Sequence, residues 1–273
     1  MTAGVLLGER LMMSDHMDDD AEVLKEQHGR RVIRVGDRVF RDTGWWTPAV
    51  HGLLRHLQTQ GFRYAPHVYG TVAGGQEMLG FIPGESGAIG WSRVVPAAGL
   101  RQFGRMLRRY HDAVRGFQPP AGSVWAVTDQ PLGDGEIICH GDFGPWNVVW
   151  RGDEAVGILD WDFAGPGRPV DDIAYALEYC APFRDDASAM RWLGYTVPPD
   201  RRARIETFFQ GYGTDVPPGI VDQVASRQLL DISRVELLAS RGLEPQATWV
   251  STGLVDELHR RARWTVENRD LFD

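Results

Sequence analysis

Between Ile137 and Asp172 the chain reads IICHGDFGPWNVVWRGDEAVGILDWDFAGPGRPVDD, and this stretch constrains the fold more than any other. Short apolar runs there deliver acids, an amide and an imidazole to one place. Ile137, Ile138 and Cys139 form one run. Val148 to Trp150 and Ala155 to Leu159 form two more around the turn Arg151-Gly152-Asp153-Glu154, which is a hairpin signal. The outer ends of a hairpin lie side by side. Asn147 enters the first strand and Asp160 leaves the second, so both polar groups point out of the same end, close to the loop carrying His140 and Asp142.

Two carboxylates and an amide around one opening suit phosphoryl transfer, whose chemistry is mostly positioning and charge neutralisation. One acid orients the acceptor hydroxyl, while an Asp and an Asn hold the metal ions that bridge the phosphates. Asp142 fits the first role, and Asn147 and Asp160 fit the second; oxygen-only ligands suit Mg²⁺. A metallohydrolase built on His140, Asp142, Asp160 and Asp162 is a competing reading, although two-metal hydrolases usually offer more His. Taken alone, His-Gly-Asp or Asp-Trp-Asp is ordinarily a turn at a strand end; the joint spacing on strand, loop and hairpin is what points to chemistry. Asp162 reads either as a contact to metal or acceptor or as a turn cap. Trp146 and Trp161 read as packing, and Cys139 as an inert core thiol.

These residues resemble the aminoglycoside phosphotransferase and choline kinase family of small-molecule kinases, whose fold is similar to that of protein kinases. HGDFGPWN looks like the family's catalytic loop, ILDWDFAGPG like its metal-binding Asp-Trp segment, and DDIA like the Asp-Leu/Ile-Ala that follows. The resemblance implies an α+β, bilobal protein-kinase-like fold, with a small antiparallel-sheet N-terminal lobe and a mainly helical C-terminal lobe. It implies that His140 packs and hydrogen-bonds the loop, and that Asp172 braces the loop backbone from the next helix. The implied activity is ATP- and Mg²⁺-dependent transfer of a phosphoryl group to a hydroxyl of a small molecule, aminoglycoside-like or another amino alcohol. GTP in place of ATP is equally compatible. The alternative is a kinase-fold protein that binds nucleotide or ligand with little or no transfer.

Composition sets the outer bounds. A chain of 273 residues, 43% apolar and 24% charged, suits a two-lobed globular enzyme. Two distant cysteines give neither a disulfide framework nor a zinc spacing, and no apolar run is long enough for a bilayer, so the expected place is the cytoplasm. The net charge of −8 argues against a nucleic-acid partner and favours cationic acceptors. Nothing in the sequence sets an oligomeric state.

Read in order, Met1 to Ala21, with the acids Asp15, Asp18, Asp19 and Asp20, is expected to be a mobile leader within an N-terminal nucleotide-binding lobe of residues 1–82. Strands are expected at Glu22 to Lys25, Arg31 to Val35 and Arg38 to Asp42, the last two joined by Gly36-Asp37. In the family, a loop between the first strands covers the phosphates and the third strand supplies a Lys to them. Here that loop is Gln27-His28-Gly29-Arg30, the matching position is Arg41, and Lys25 is the only lysine in the chain. Arg can hold phosphate bidentately but is bulkier than Lys. Thr47, with Pro48 at the first helical position, is expected to cap a helix running to Gln60-Gly61. The family's partner Glu has no counterpart there, because no Glu stands between Thr43 and Gln76.

His67 to Val72 and Gln76 to Ile82 read as a strand pair. Phe81 and Ile82, before the break at Pro83-Gly84, resemble the hinge whose backbone binds adenine, and the C-terminal catalytic and acceptor-binding lobe is expected over 83–273. Leu100, Phe103, Met106, Leu107, Tyr110, His111 and Val114 share one helix face, with His111 read as packing. Phe117 to Gly135 is a connecting segment. Asp171 and Asp200 read as caps of further helices, followed by helical patterns over Ile220 to Ser240 and Thr248 to Arg263. By resemblance these helices wall the acceptor pocket, where Glu178, Asp185, Asp186, Glu206, Asp270 and Asp273 are candidates to meet a cation.

Overall fold

The computed structural model describes residues 21–27 and 30–272. The leader before Ala21, the loop residues His28 and Gly29, and the terminal Asp273 lie outside the described residues. Contacts divide the chain into two compact units, residues 1–44 with 67–81, and residues 45–66 with 82–273. The helical segment 45–66 thus clusters with the larger unit, whereas the sequence-drawn boundary at residue 82 groups it with the sheet.

The first unit is one antiparallel sheet of β1 (Ala21–Gln27), β2 (Arg30–Val35), β3 (Arg38–Asp42), β4 (Val68–Val72) and β5 (Gln76–Gly80), in the order β1-β2-β3-β5-β4. Gly36, with φ +58°, supplies the backbone that the tight β2–β3 turn requires. The last strand ends at Gly80, two residues before the expected end, because the Gly80 amide turns to the His67 carbonyl (2.7 Å) and the Phe81 amide to the Asp37 carbonyl (2.9 Å).

The second unit is mainly helical. Helix α1 (Thr47–Thr59) buries Leu53, Leu54 and Leu57 on one face. Its cap position is Trp46 without a side-chain cap bond, so Thr47 is already helical and not the cap. After the short α2 (Ile89–Val94) comes α3 (Ala97–Val114), whose residues Leu100, Phe103, Met106, Leu107, Tyr110 and Val114 are all buried. At roughly 1.5–3 kcal/mol per buried large side chain, this face accounts for much of the unit's cohesion.

Two small antiparallel pairs sit against α3. They are β6 (Ile137–Cys139) with β9 (Gly165–Gly167), and the hairpin of β7 (Val148–Arg151) with β8 (Glu154–Ile158). Then follow α4 (Pro169–Cys180), α5 (Asp186–Leu193), α6 (Arg201–Tyr212), α7 (Ile220–Ser240), α8 (Gln246–Ser251) and α9 (Leu254–Glu267).

Asp200 does cap α6, accepting from the Ala203 amide (3.0 Å). Asp171 does not cap α4: the helix starts at Pro169, and Asp171 is its third residue, reaching back to the Arg168 amide (2.7 Å). The long final pattern is two helices, because Gly253 takes the left-handed backbone (φ +81°) between them. Among the described residues no helix is long and apolar enough to cross a membrane.

Candidate active site

The site is a loop, a hairpin end and a helix start within the helical unit. β6 feeds the loop His140–Asn147, and β8 returns to its mouth. Val148 pairs with Ile158, and the Leu159 amide donates to the Asn147 carbonyl (2.8 Å), so Asn147 and the segment entering Asp160 lie side by side. α3 supports this floor: the Tyr110 hydroxyl donates to the Ile138 carbonyl (2.5 Å), and its ring stands edge-on to Trp161.

Asp172, at the first turn of α4 and fully buried, organises the loop backbone. One oxygen accepts the Gly141 amide (2.9 Å); the other accepts the His140 amide (2.8 Å) and lies 3.2 Å from Nε2 of His111. Burial alone would raise its carboxyl, but the His111 contact, the charge of nearby imidazoles and the loop amides together hold it at about 2. Gly141 has φ +82°, and a Cβ there would stand 2.0 Å from the Phe163 carbonyl oxygen, so this turn admits only glycine. The Gly141 carbonyl accepts from Nη2 of Arg227 on α7 (2.6 Å), a buried guanidinium that also bonds the Asp171 carbonyl (2.9 Å) and Asp231 (2.8 Å).

His140 is fully buried, with both ring nitrogens engaged. Nδ1 accepts the Asp142 amide (3.2 Å), which places the proton on Nε2, donating to the Leu159 carbonyl (2.9 Å). Burial favours its neutral form. It is therefore a brace between loop and hairpin, with no lone pair left for a metal. Among the described residues no three His, Cys, Asp or Glu side chains form a metal-holding group, which removes support from the metallohydrolase reading.

Asp142 is 8% exposed and held from both sides. Tyr175, one turn beyond Asp172 on α4, donates to its Oδ1, and Asn147 Nδ2 donates to its Oδ2 (2.8 Å) and its carbonyl (2.9 Å). Both bonds use the Asn147 side-chain nitrogen. Burial and then the charge of Asp160 push Asp142 up to about 7, against the pull of the Tyr175 and Asn147 bonds. Asp160 itself has φ +58° and ψ +69°, the one non-glycine residue with positive φ among the described residues. Such a backbone costs about 1–3 kcal/mol and persists where the surroundings over-determine it. It re-aims the chain leaving β8 so that Asp160 faces Asp142. Asp162 is buried in the following 3₁₀ turn, Trp161–Phe163, and Cys139 is a buried thiol whose proton affinity is raised by that burial.

The sheet unit carries the other candidates. Arg41 on β3 stands directly opposite Glu77 on β5, with Nε 2.6 Å from Oε1, and Glu77 is 2% exposed. The carboxylate absent from α1 is thus supplied by a neighbouring strand. Phe81 lies under the Arg34 guanidinium (3.9 Å), with its amide given to Asp37; Ile82 packs at Gly157 in the helical unit.

Beside Asp142 a cavity of about 1120 Å³ opens within the helical unit. Trp91, Trp146, Tyr175 and Tyr179 form its aromatic wall, with successive ring centroids 4.7–5.2 Å apart. Of the described acids expected to meet a cation, Asp185 lines this cavity and the others are engaged elsewhere or remote. Glu178 is buried against Arg261 (3.2 Å), Asp186 pairs with Arg201 (2.8 Å), Glu206 with Arg202 (3.3 Å), and Asp185 caps α5 through Ser188 (2.9 Å). Asp270 is exposed on the final turn.

Tyr175, Arg227, His111 and Glu77 are the site residues that sequence reading misses or assigns to packing. Tyr175 had a signal, since it follows Asp172 by three positions on a helix and so shares its face. Arg227 had none.

A loop braced by a buried aspartate, an acid facing a second acid across an amide, and an antiparallel sheet preceding a helical unit define a protein-kinase-like phosphotransferase fold. The chain belongs to the phosphotransferase enzyme family, whose model matches residues 118–206. It is 41% identical over 187 residues to the trifolitoxin immunity protein of Rhizobium leguminosarum bv. trifolii, covering 67% of this chain and 70% of that one. Among solved structures it is similar to an amicoumacin kinase in complex with AMP-PNP and Ca²⁺ (TM-score 0.60, 13% identity, 92% of this chain and 89% of that one). It is also similar to a choline/ethanolamine kinase family protein from Mesorhizobium loti (TM-score 0.56, 16% identity, 94% and 91%).

Proposed function

We propose that the protein transfers the terminal phosphoryl group of ATP or GTP to a hydroxyl of a small molecule. The carrying observation is Asp142, oriented by Tyr175 and Asn147 inside an aromatic-walled cavity and facing Asp160. In this reading Asp142 accepts a hydrogen bond from the acceptor hydroxyl and aims its oxygen at the γ-phosphorus. The new O–P bond forms as the bond to the β,γ-bridging oxygen breaks, the nucleoside diphosphate leaves, and the hydroxyl proton passes to Asp142.

The donor set fits Mg²⁺. The amide oxygen of Asn147 and the carboxylate of Asp160 are hard oxygen ligands, and the ion, when bound with nucleotide, would supply charge neutralisation on the phosphates. Arg41, held by Glu77, takes the phosphate-binding role that the family gives to a lysine. Because the Phe81 amide is occupied, backbone recognition of the base falls to the Phe81 carbonyl and to Ile82.

The immunity protein gives this reading a biological direction and also supports a second one. A chain related to it would protect a cell either by phosphorylating a toxic molecule or by holding it unmodified in the same cavity. Two measurements separate these. Asp142→Asn is expected to cut acceptor-dependent ADP release by on the order of 10²-fold or more, with nucleotide binding kept; near-normal turnover removes Asp142 from its role. A ligand at about 100 times its Kd adds roughly 2.7 kcal/mol of stability, so Mg²⁺ with ATP or GTP should raise the melting temperature of wild type, and Asp160→Ala should abolish the Mg²⁺-dependent part. No shift with either nucleotide would leave the binding reading in possession.

A further inference from the structure

One guanidinium in the cavity wall has two nitrogens without a hydrogen-bond partner among the described residues. Arg184, between α4 and α5, is 8% exposed and lines the same cavity as Asp142. Its Nε and Nη2 are buried and have no hydrogen-bond partner among the described residues. The nearest carboxylate, Glu178 Oε1, is 4.0 Å from Nη2, beyond hydrogen-bond length, and already accepts from Arg261 Nη1 at 3.2 Å. Two guanidiniums therefore flank one buried carboxylate, with the exposed carboxylate of Asp185 beside them.

Of the other charged groups facing this region, Asp185 is held only by the neutral Ser188, while Glu257 has an arginine partner. Asp185 is exposed and accepts from Ser188 through both oxygens, and Glu257 pairs with Arg260 (2.6 Å). Asp231 stands between Arg227 and Arg234. Arg234 Nη1 and Asp231 Oδ2 also lack hydrogen-bond partners among the described residues. Arg184 differs in offering two adjacent unpartnered donors, Nε and Nη2, where Arg234 offers one.

Nε and Nη2 are the two donors along one edge of a guanidinium, the edge that meets a carboxylate bidentately. Leaving a buried charged group unsatisfied is costly, a cost that a ligand oxyanion would remove. Tyr179 lies 5.3 Å beneath the guanidinium, and its ring continues into the aromatic wall that reaches Asp142 through Trp146 and Tyr175.

Building on the phosphotransferase reading, we infer that the acceptor carries a carboxylate, seated on the Nε/Nη2 edge of Arg184, together with an aromatic or apolar body and a hydroxyl that reaches Asp142. This reverses the expectation of a cationic acceptor drawn from the net charge. The −8 of the chain is spread over its whole surface, whereas selectivity is set by the few groups that line the cavity.

Three probes with one skeleton test it on the full chain: mandelate, mandelamide and phenylethanolamine, which place a carboxylate, a neutral amide or an ammonium beside the same phenyl and hydroxyl. Binding is measured by calorimetry on wild type, Arg184→Gln and Arg184→Lys, each first shown to unfold cooperatively, and ADP release is followed with Mg²⁺ and ATP. The expected order in wild type is mandelate tightest by about tenfold or more. Arg184→Gln should bring mandelate down to mandelamide, and Arg184→Lys should keep part of the preference. Equal affinities, phenylethanolamine tightest, no binding of mandelate, or a preference unchanged in Arg184→Gln would each overturn the inference. Transfer is scored separately. Mandelate preference keeps the carboxylate subsite with or without ADP release, because its carboxylate and hydroxyl share one carbon and need not reach both Arg184 and Asp142. ADP release with phenylethanolamine preferred overturns the subsite and keeps the transferase reading, which Asp142→Asn tests on its own.

Discussion

Asp172 shows how much one side chain can fix. It satisfies two consecutive loop amides that would otherwise be buried without acceptors, and it does so as an anion. Folded, it titrates at about 2; unfolded, an aspartate titrates near 3.9. Between those values the unfolded chain binds more protons, so the stability contributed by Asp172 is complete above about pH 4 and is lost as pH falls toward 2, an amount of about 2–3 kcal/mol. Denaturant unfolding followed across that range should show this slope in wild type and lack it in Asp172→Asn. At neutral pH the variant should be less stable by about 3 kcal/mol, since its amide cannot replace the anion among the donors that face it. An unchanged acid slope would mean that Asp172 is not the titrating brace. Its importance was legible because DDIA follows the Asp-Trp segment at the family's spacing; its donors His140, Gly141 and His111 come from other parts of the chain.

Helices α3 and α6 meet through side chains such as His111 and Tyr212 (2.8 Å) and, at their closest approach, through two glycines. A Cβ at Gly104 would stand 2.4 Å from the Phe208 carbonyl oxygen, and one at Gly211 would stand 2.1 Å from that of Arg101. The backbones approach so closely that even a methyl group must push the helices apart, and overpacking of this kind costs about 1–3 kcal/mol. Gly211→Ala is therefore expected to lower the melting temperature by several degrees; a variant as stable as wild type would show that the helices can separate freely. The element-scale record follows the same physics. Helix α7 was readable end to end from its apolar spacing, and the core face of α3 likewise. Strand β9, Gly165–Gly167, carries no periodic signal at all, because Gly-Pro-Gly becomes a strand only through the partner β6. The break between α8 and α9 turned on a backbone angle at Gly253, which a helical pattern does not reveal.

Across the whole molecule the proposed work divides between the two units. The sheet carries Arg41 and Glu77; the helical unit carries Asp142, Asn147, Asp160 and the cavity. Substitutions in the two should therefore separate kinetically. Glu77→Gln frees Arg41 from its carboxylate and is expected to raise the KM for nucleotide by about tenfold, with kcat less affected, whereas Asp142→Asn lowers kcat. Identical kinetic effects from both variants would mean that the Arg41–Glu77 pair only holds the sheet together.

By itself the sequence determined the local pieces: the hairpin with Asn147 and Asp160 at its ends, the loop with His140 and Asp142, and the buried face of α3. Each rests on spacing within a few residues, where periodicity and turn chemistry act. Only the tertiary structure decided that Glu77 answers Arg41 across a strand pair, that Tyr175 and Asn147 hold Asp142 from both sides, and that Arg227 clamps a carbonyl 86 positions away. It decided too that Glu178, Asp186 and Glu206 meet other arginines while Nε and Nη2 of Arg184 are left without hydrogen-bond partners among the described residues. Such pairings are set by which surfaces pack together, and the cost of leaving a buried charge unpaired selects among them only after the chain has folded.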